Sequence, residues 1–292
     1  MLRLAAFALC LPLLAAPCLG QAPALDELRG WAGDAPATAV PAVRAAAQSQ
    51  SGAQLLAAFH ESTGQGFRQH EYGEASKYMF STADNVERGG RRGVVDAYSG
   101  VFVPGTSADG SDYRESGDQN NDHFVDSQGM NVEHTWPQSF FAKRLPMKSD
   151  LHHLMATFIH PNGMRGSMPF GVVQGQGEYH NDGGAKAGQG VFEPPDASKG
   201  RVARALLYFY TRYYDTNISN GGFSAAFWNE KLELFLSWNR AFPPGPDEKR
   251  RNDLVEKFQG NRNPFIDDPA LADRIGAAAF RKASRWDGPA RP

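Results

Sequence analysis

Apolar positions along the chain change their spacing from one region to the next. Leu55, Leu56 and Phe59 recur at near-helical spacing, which predicts a helix from about residue 53. Residues 93–103, GVVDAYSGVFV, are rich in β-branched residues in an alternating pattern, which predicts a strand. The segment that follows, up to residue 129, is dense in Gly, Ser, Asp and Asn and predicts a long loop.

The last third of the chain has the periodicity of packed helices. Residues 201–214 are apolar on most sides, which predicts a buried helix. A second helix is predicted from an N-cap at Ser224, and a third ends at the C′ glycine Gly260. A fourth is predicted to start with Asp268 as its cap and Pro269 in its first position. Together these patterns predict a mostly helical α+β fold with a small antiparallel sheet near the middle of the chain.

The first 24 residues have the order of an export signal. Arg3 gives a positive start, residues 4–14 form an apolar run, and small residues follow. The run is too short to span a membrane. We therefore expect a signal peptide over residues 1–24, a secreted or periplasmic location, and no stable membrane association. Cys10 and Cys18 both lie in this segment, so the mature protein would hold its fold without disulfides.

Composition divides the rest of the chain. Residues 25–52 are rich in Ala, Pro, Gln and Ser and predict a loosely ordered leader, residues 53–285 predict one domain, and residues 286–292 a C-terminal tail. We expect a monomer. The formal net charge is −2, whereas nucleic-acid-binding proteins are often basic overall. Binding to nucleic acid would therefore depend on local clusters, one of which consists of Lys143, Arg144 and Lys148.

Residues able to bind a metal or carry a proton are concentrated in the middle of the chain. Six of the eight histidines fall between residues 123 and 180. Zinc would require three or four His, Cys or carboxylate ligands. Magnesium prefers oxygen ligands, which Glu133 and Asn162 offer, and this choice leaves His134 free as a base. The residues by themselves leave both metals open.

The loop before this region has a second pattern. Asp118, Asn120 and Asp122 alternate as in a calcium-binding loop. However, His123 and Gly129 stand where that loop requires a glycine and a bidentate glutamate. We therefore predict a turn-rich surface loop here.

Five longer segments are shared with a known family. They are NVEHTWPQS, PMKSDLHHL, NGMRGSMPFG, FEPPDASKGRVAR and RRNDLVEKFQGNRNPFIDDPAL. In this order, over about residues 55–275, they resemble the bacterial endonuclease I family of secreted or periplasmic nucleases. The resemblance implies a single domain around a ββα-metal (His-Me finger) site. Its strands would lie near residues 131–135 and 150–154, and its helix near residues 156–165.

The resemblance also implies roles for individual residues. His134 would be the general base, and Glu133 and Asn162 would hold one divalent ion, Mg²⁺, with Mn²⁺ or Ca²⁺ as substitutes. The reaction would be hydrolysis of DNA, and RNA as an alternative, to 5′-phosphate products with little sequence preference. We select Arg165 as the residue that stabilises negative charge in the transition state. The predicted contacts to backbone phosphates are Lys143, Arg144 and Lys148.

Glu133 and His134 present a geometric difficulty, because neighbours on a strand point to opposite faces. Both can serve one site only if the strand ends, bulges or twists there, so we predict such a distortion. We expect His152 and His153 to form hydrogen bonds near the site, and Asp150 to orient a partner or the backbone. Two other functions stay open: a zinc-dependent phosphoesterase that uses the histidines, and an inactive nucleic-acid-binding protein on the same scaffold.

Overall fold

The computed structural model describes residues 51–114, 117–125, 129–219 and 227–282. The predicted signal peptide, nearly all of the predicted leader, the C-terminal tail and the predicted cap Ser224 lie outside these ranges. Within them, every helix falls short of the length and apolar character needed to cross a bilayer.

Helices dominate the described residues, with short strands between them. The helices are α1 (Gly52–Gly64), α2 (Tyr72–Tyr78), α3 (Ile159–Arg165), α4 (Asp196–Tyr213), α5 (Leu232–Ala241), α6 (Pro246–Gln259), α7 (Pro264–Asp267), α8 (Leu271–Ile275) and α9 (Ala277–Lys282). The strands are β1 (Asn85–Arg88), β2 (Arg91–Val95), β3 (Phe102–Pro104), β4 (Met130–His134), β5 (Leu154–Phe158), β6 (Tyr179–His180), β7 (Lys186–Gly188) and β8 (Val191–Glu193). The predicted α+β class is confirmed.

The strands form three small antiparallel sheets, ordered β1-β2-β3, β4-β5 and β6-β7-β8. The single strand predicted over residues 93–103 is wrong, because a turn separates β2 from β3. Asp96 makes this turn: its carbonyl oxygen accepts a hydrogen bond from Gly100 N at 2.9 Å. Gly100 has a φ of 74°, a conformation that glycine adopts without strain.

Helix α4 lies in the larger of two apolar cores and is buried on most sides, as its sequence predicts. Helices α1 and α5 pack against it. The indole of Trp136 stacks on Phe209 with ring centroids 5.0 Å apart. Its Nε1 donates to the carbonyl oxygen of Ile218 at 3.0 Å. Trp136 therefore fixes the segment after β4 to the centre of the fold.

Strand β5 lies between the two cores. Met155 belongs to the larger core, whereas Leu154, Ala156 and Phe158 belong to the smaller one. The smaller core also takes apolar side chains from α2, β2 and α6. A strand buried on both faces has an apolar run in place of an alternating pattern.

Candidate active site

Strands β4 and β5 and the helix α3 that follows them form a ββα unit. The strands pair in regular register, from Met130 opposite Phe158 to His134 opposite Leu154. The first predicted strand, over residues 131–135, is confirmed to within one residue. The second was predicted four residues too early. The helix was predicted to begin three residues too early, and its predicted end at Arg165 is confirmed.

Glu133 and His134 point to opposite faces of β4. The pairing is regular through both residues, and the strand ends at His134. Of the three distortions predicted, only the strand end is therefore present. The Glu133 side chain lies against Arg165 of α3, whereas His134 faces the 3₁₀ turn Met147–Ser149. Because the two side chains point to opposite faces, a single site can include both only if it lies at the end of β4.

The carboxylate of Glu133 is almost fully buried, with 2% of the residue exposed. Its Oε1 lies 3.0 Å from Nη1 of Arg165, but that nitrogen donates its hydrogen bond to the carbonyl oxygen of His134 at 2.9 Å. Burial raises the pKa of Glu133, and the charge of Arg165 and the nearby hydroxyl of Tyr98 act in the opposite direction. Among the described residues, no donor is aligned on Oε1. A buried oxygen of this kind has capacity for a cation.

Arg165 joins α3 to the end of β4. Its Nη2 donates to the carbonyl oxygen of Thr135 at 2.7 Å, beside the Nη1 bond to His134. Its guanidinium carbon lies 4.5 Å from the ring centre of Phe170. Only 1% of the side chain is exposed, so this geometry supports a positioning role. The predicted role of Arg165 in stabilising transition-state charge stays a prediction.

Asn162 is a half-buried residue in the middle of α3. Its Nδ2 donates to Oδ1 of Asn131 at 2.6 Å and lies 3.4 Å from the carbonyl oxygen of Val132. Both contacts use the amide nitrogen, so the described residues leave the amide oxygen as an acceptor. This is the atom that a hard divalent cation would bind.

His134 is in the neutral state that a general base requires, although its pKa lies well below the operating pH at which such a base works best. Burial lowers the pKa of His134 to about 3, and nearby His153 acts in the same direction, so the ring is neutral at pH 7. Its Nε2 lies 3.1 Å from the carbonyl oxygen of Lys148. Because a carbonyl oxygen can only accept, Nε2 carries the proton and Nδ1 carries the lone pair.

His153 holds the turn that orients His134. Its Nε2 lies 2.6 Å from the carbonyl oxygen of Met147, and its ring centroid lies 5.6 Å from that of His134. Burial lowers the pKa of His153 to about 4, so this ring is neutral as well. Two neutral histidines therefore bind the successive carbonyl groups of Met147 and Lys148. This is the hydrogen-bonding role expected for His153.

Asp150 lies at the centre of a buried network next to this turn. Its Oδ2 accepts from the hydroxyl groups of Tyr208 and Tyr213, both at 2.8 Å. Its Oδ1 accepts from Gln259 Nε2 at 2.8 Å and from the backbone N–H of His152 at 3.2 Å. The His152 contact caps a short 3₁₀ turn where the resemblance implied the start of a strand. Asp150 thus orients the backbone, as expected.

The three predicted phosphate contacts lie on the loop between β4 and β5. Lys143 and Arg144 are exposed, and the guanidinium of Arg144 donates to two backbone carbonyl oxygens. Lys148 reaches the surroundings of His134, because its ammonium lies 4.5 Å from the ring centre of Tyr72. Lys148 therefore brings positive charge next to the candidate base.

Tyr72 is a site residue that the sequence analysis missed. It is the first residue of α2, and its ring centroid lies 5.8 Å from that of His134. Burial raises the pKa of Tyr72, so its hydroxyl is protonated at neutral pH. The residues around it form no motif, and only the packing of α2 onto the turn brings it to the site.

The oxygen donors of the candidate site fit Mg²⁺ better than they fit zinc. Across the described ranges, no three His, Cys, Asp or Glu side chains are grouped to hold a metal. A zinc hydrolase needs three such ligands, so the geometry gives no support to the zinc alternative. Magnesium takes one or two protein oxygens and keeps several waters. The oxygens of Glu133 and Asn162 fit that requirement.

The structure defines an α+β protein whose ββα unit carries Glu133 and His134 on its first strand and Asn162 on its helix. A family model described as Endonuclease I matches residues 52–270, which is most of the chain. The chain therefore belongs to the endonuclease I family.

Several curated proteins are similar to parts of this chain. An extracellular ribonuclease of Bacillus amyloliquefaciens is 38% identical over 156 residues, which cover 50% of this chain and 53% of that protein. A periplasmic deoxyribonuclease of Aeromonas hydrophila is 31% identical over 124 residues, which cover 41% of this chain and 48% of that protein. The Endonuclease-1 of Buchnera aphidicola subsp. Baizongia pistaciae is 31% identical over 133 residues, with coverages of 41% and 46%. The chain spans about half the length of the curated relatives it matches.

Proposed function

We propose that this protein is a secreted or periplasmic, metal-dependent endonuclease that hydrolyses phosphodiester bonds with little sequence preference. The observation that carries this proposal lies at the end of β4. There a neutral His134 is next to Glu133, whose buried Oε1 has no aligned donor among the described residues. Family membership supports the proposal, as do relatives named as extracellular and periplasmic nucleases.

His134 is the proposed general base. Its Nδ1 takes a proton from a water molecule, whose oxygen attacks phosphorus in line with the leaving O3′. The P–O3′ bond breaks, O3′ takes a proton from water, and the products carry a 5′-phosphate and a 3′-hydroxyl. The positive charge that forms on the ring is met by the carbonyl oxygen of Lys148, which already accepts from Nε2.

Glu133 and Asn162 are the proposed ligands of Mg²⁺, for which Mn²⁺ or Ca²⁺ would substitute. When bound, the ion would neutralise charge on the phosphate and stabilise the leaving oxygen. Arg165 holds Glu133, and Asn131 holds the amide nitrogen of Asn162. The proposed contacts to flanking phosphates, which carry no sequence information, are Lys143, Arg144 and Lys148.

DNA and RNA are both proposed substrates. One similar protein is named a ribonuclease and another a deoxyribonuclease. Each name belongs to that protein, so the relative rates on the two polymers have to be measured for this chain.

The test compares the wild type with His134→Ala on supercoiled plasmid and on RNA, in Mg²⁺ and in EDTA. The matched control is His180→Ala, because His180 lies on β6, outside the ββα unit. We expect metal-dependent cleavage by the wild type and the control, and a loss of at least about 100-fold in His134→Ala. A wild type that is inert with both Mg²⁺ and Mn²⁺ would contradict the proposal and favour the inactive-scaffold alternative.

A further inference from the structure

A loop that packs on α3 exposes an aromatic ring. Phe124 has 45% of its surface exposed. Its phenyl ring stacks on the ring of His160, with centroids 4.2 Å apart and planes inclined by 22°. His160 belongs to α3, two residues before Asn162. An exposed aromatic surface is therefore attached to the helix that carries a proposed metal ligand.

The loop uses its carboxylates to fix its own backbone. Asp118 Oδ1 accepts from the N–H of Asp122 at 3.0 Å, and Oδ2 accepts from that of His123 at 2.8 Å. Asp122 Oδ1 accepts from the N–H of Phe124 at 3.0 Å. The predicted turn-rich surface loop is confirmed. Carboxylates that a calcium loop would direct at the ion are directed here at backbone N–H groups.

The histidine behind the phenyl ring is fixed as well. Nδ1 of His160 lies 3.0 Å from Oδ2 of Asp122, which also accepts from the hydroxyl of Tyr179 at 3.1 Å. The ring of Tyr179 meets His160 edge-on, with centroids 5.7 Å apart. Asp122 therefore orients the backbone of Phe124 and the ring beneath it at the same time.

Backbone conformation adds a further observation about this loop. Asn121 and His123, on either side of Asp122, have φ values of 49° and 66°. Residues other than glycine adopt this left-handed region uncommonly, and such residues cluster at functional sites. Asn and His are among the non-glycine residues that adopt this region most readily, so Asn121 and His123 turn the backbone on either side of Asp122.

Single exposed apolar residues are common and need no special explanation. Val172, which is 49% exposed, is one of them. Phe124 differs because its backbone is fixed and its ring stacks on a second ring while 45% of its surface stays exposed. Nucleobases stack on such rings whatever their identity, which agrees with an enzyme of little sequence preference.

We propose that Phe124 is a stacking platform for an unpaired nucleobase of the substrate strand. This inference rests on the proposed nuclease function. It makes single-stranded or locally unpaired nucleic acid the preferred substrate, because the bases of an intact duplex are already stacked on their neighbours.

The first experiment measures kcat and KM for the wild type, Phe124→Ala and Phe124→Trp, with Val172→Ala as the control. The probes are one fluorescein-labelled DNA strand and the duplex made from it. We expect Phe124→Ala to raise KM on the single strand about tenfold and to change kcat less than about twofold. The change on the duplex should be smaller, and Phe124→Trp and Val172→Ala should behave like the wild type. Because Phe124 is exposed, the Tm of each variant should stay close to that of the wild type.

A second experiment moves a single abasic site along the strand. In the wild type, removal of the stacked base should raise KM by about the same factor, on the order of tenfold. In Phe124→Ala the same abasic site should have no further effect, because both changes remove one contact. A general structural defect would instead raise KM by the same factor at every abasic position.

The two proposals fail in different ways. If the wild type cleaves nucleic acid but Phe124→Ala has the same KM on the single strand, the platform is wrong and the nuclease function stands. The platform is also wrong if the abasic effect persists in Phe124→Ala. If the wild type cleaves neither polymer, the proposed function is wrong and the platform falls with it.

Discussion

Glu133 and Asp150 are both buried carboxylates of the region around β4 and β5, but the fold satisfies them differently. Asp150 accepts four hydrogen bonds from buried donors. Oε1 of Glu133 has no aligned donor among the described residues, although Arg165 lies 3.0 Å away. Burial acts to raise the pKa of both carboxyl groups. The surroundings of Asp150 overcome this effect and lower its pKa, whereas the pKa of Glu133 stays raised.

Under the proposed function, this difference separates a carboxylate that holds the fold together from one that would hold a metal ion. Native proteins rarely leave buried polar atoms without a partner, and the exceptions concentrate at sites of function. A fully bonded carboxylate contributes mainly to the fold, whereas an incompletely bonded one has capacity for a ligand. The loss of Asp150 should therefore affect stability, and the loss of Glu133 should affect activity.

The largest change in stability is expected for Asp150→Ala. The substitution leaves the hydroxyl groups of Tyr208 and Tyr213 without their acceptor, whereas Gln259 Nε2 keeps its bond to Oδ1 of Asn261. It also leaves Arg212, whose Nε lies 3.5 Å from Oδ2, without its counter-ion. We expect the free energy of unfolding, measured in urea, to fall by about 3–5 kcal/mol. Asp150→Asn keeps the shape and should lose less; a loss below about 1 kcal/mol for the alanine variant would contradict this role.

Glu133→Gln should show the opposite balance. We expect kcat/KM on nucleic acid to fall on the order of 100-fold, because a proposed metal ligand loses its charge. The free energy of unfolding should fall less than in Asp150→Ala, since Arg165 keeps its two backbone acceptors. Glu193→Gln is the matched control, because Glu193 is a buried glutamate paired with Lys199, outside the ββα unit. It should keep most of the activity.

Magnesium gives a readout of Glu133 that does not depend on activity. A ligand that binds only the folded state raises Tm. Mg²⁺ should therefore raise the Tm of the wild type and of Glu193→Gln, but not that of Glu133→Gln. Equal increases in all three proteins would show that the ion binds elsewhere.

Local patterns in the sequence predicted those parts of the fold that depend on local physics. Helix α6 ends at Gly260, which has a φ of 87° as a C-terminal glycine should. The resemblance placed strand β5 four residues too early, because the side chain of Asp150 caps a 3₁₀ turn just before it. Since β5 is buried on both faces and shows no alternation, no local pattern marked its true position. Helix α8 starts at Leu271, two residues after the predicted Pro269.

The candidate site also has features that the sequence predicted and features that it did not. The shared motifs predicted that Glu133, His134 and Asn162 belong to one ββα unit, and the structure places all three there. Tyr72 was not predicted, because only the long-range packing of α2 brings it within 5.8 Å of the His134 ring. The unbonded oxygen of Glu133 is a property of three-dimensional packing too, and no spacing along the chain reports it.

His152 and His153, two neutral histidines near Asp150, predict how the free energy of unfolding changes with pH. Burial lowers the pKa of His152 and of His153 to about 4, against about 6.5 in the unfolded chain. The unfolded chain therefore takes up these protons first. The contribution is fully present above about pH 6.5 and is lost as the pH falls towards 4. Each histidine should add a slope of about 1.4 kcal/mol per pH unit to the free energy of unfolding.

Urea unfolding over this pH range tests the two slopes. His153→Gln should remove one of them, because glutamine does not titrate. His60→Gln is the control, since His60 lies on α1, outside the Asp150 network. A wild-type stability that does not vary with pH across this range would contradict the neutral, buried state of both rings.

The smallest effect is expected for Lys148→Ala, which lies between the two carboxylate regions. The backbone carbonyl that accepts from His134 is retained, and the Asp150 network does not involve the Lys148 side chain. Stability and kcat should therefore change little. The loss of one phosphate contact should raise KM a few fold and reduce the slope of log KM against log salt by about 0.7–0.9. Lys143→Ala, on the same loop but without the Tyr72 contact, should reduce the salt slope equally. If kcat falls in Lys148→Ala as far as in His134→Ala, the ammonium acts in the chemical step, and the proposal that Lys148 only contacts phosphate is wrong.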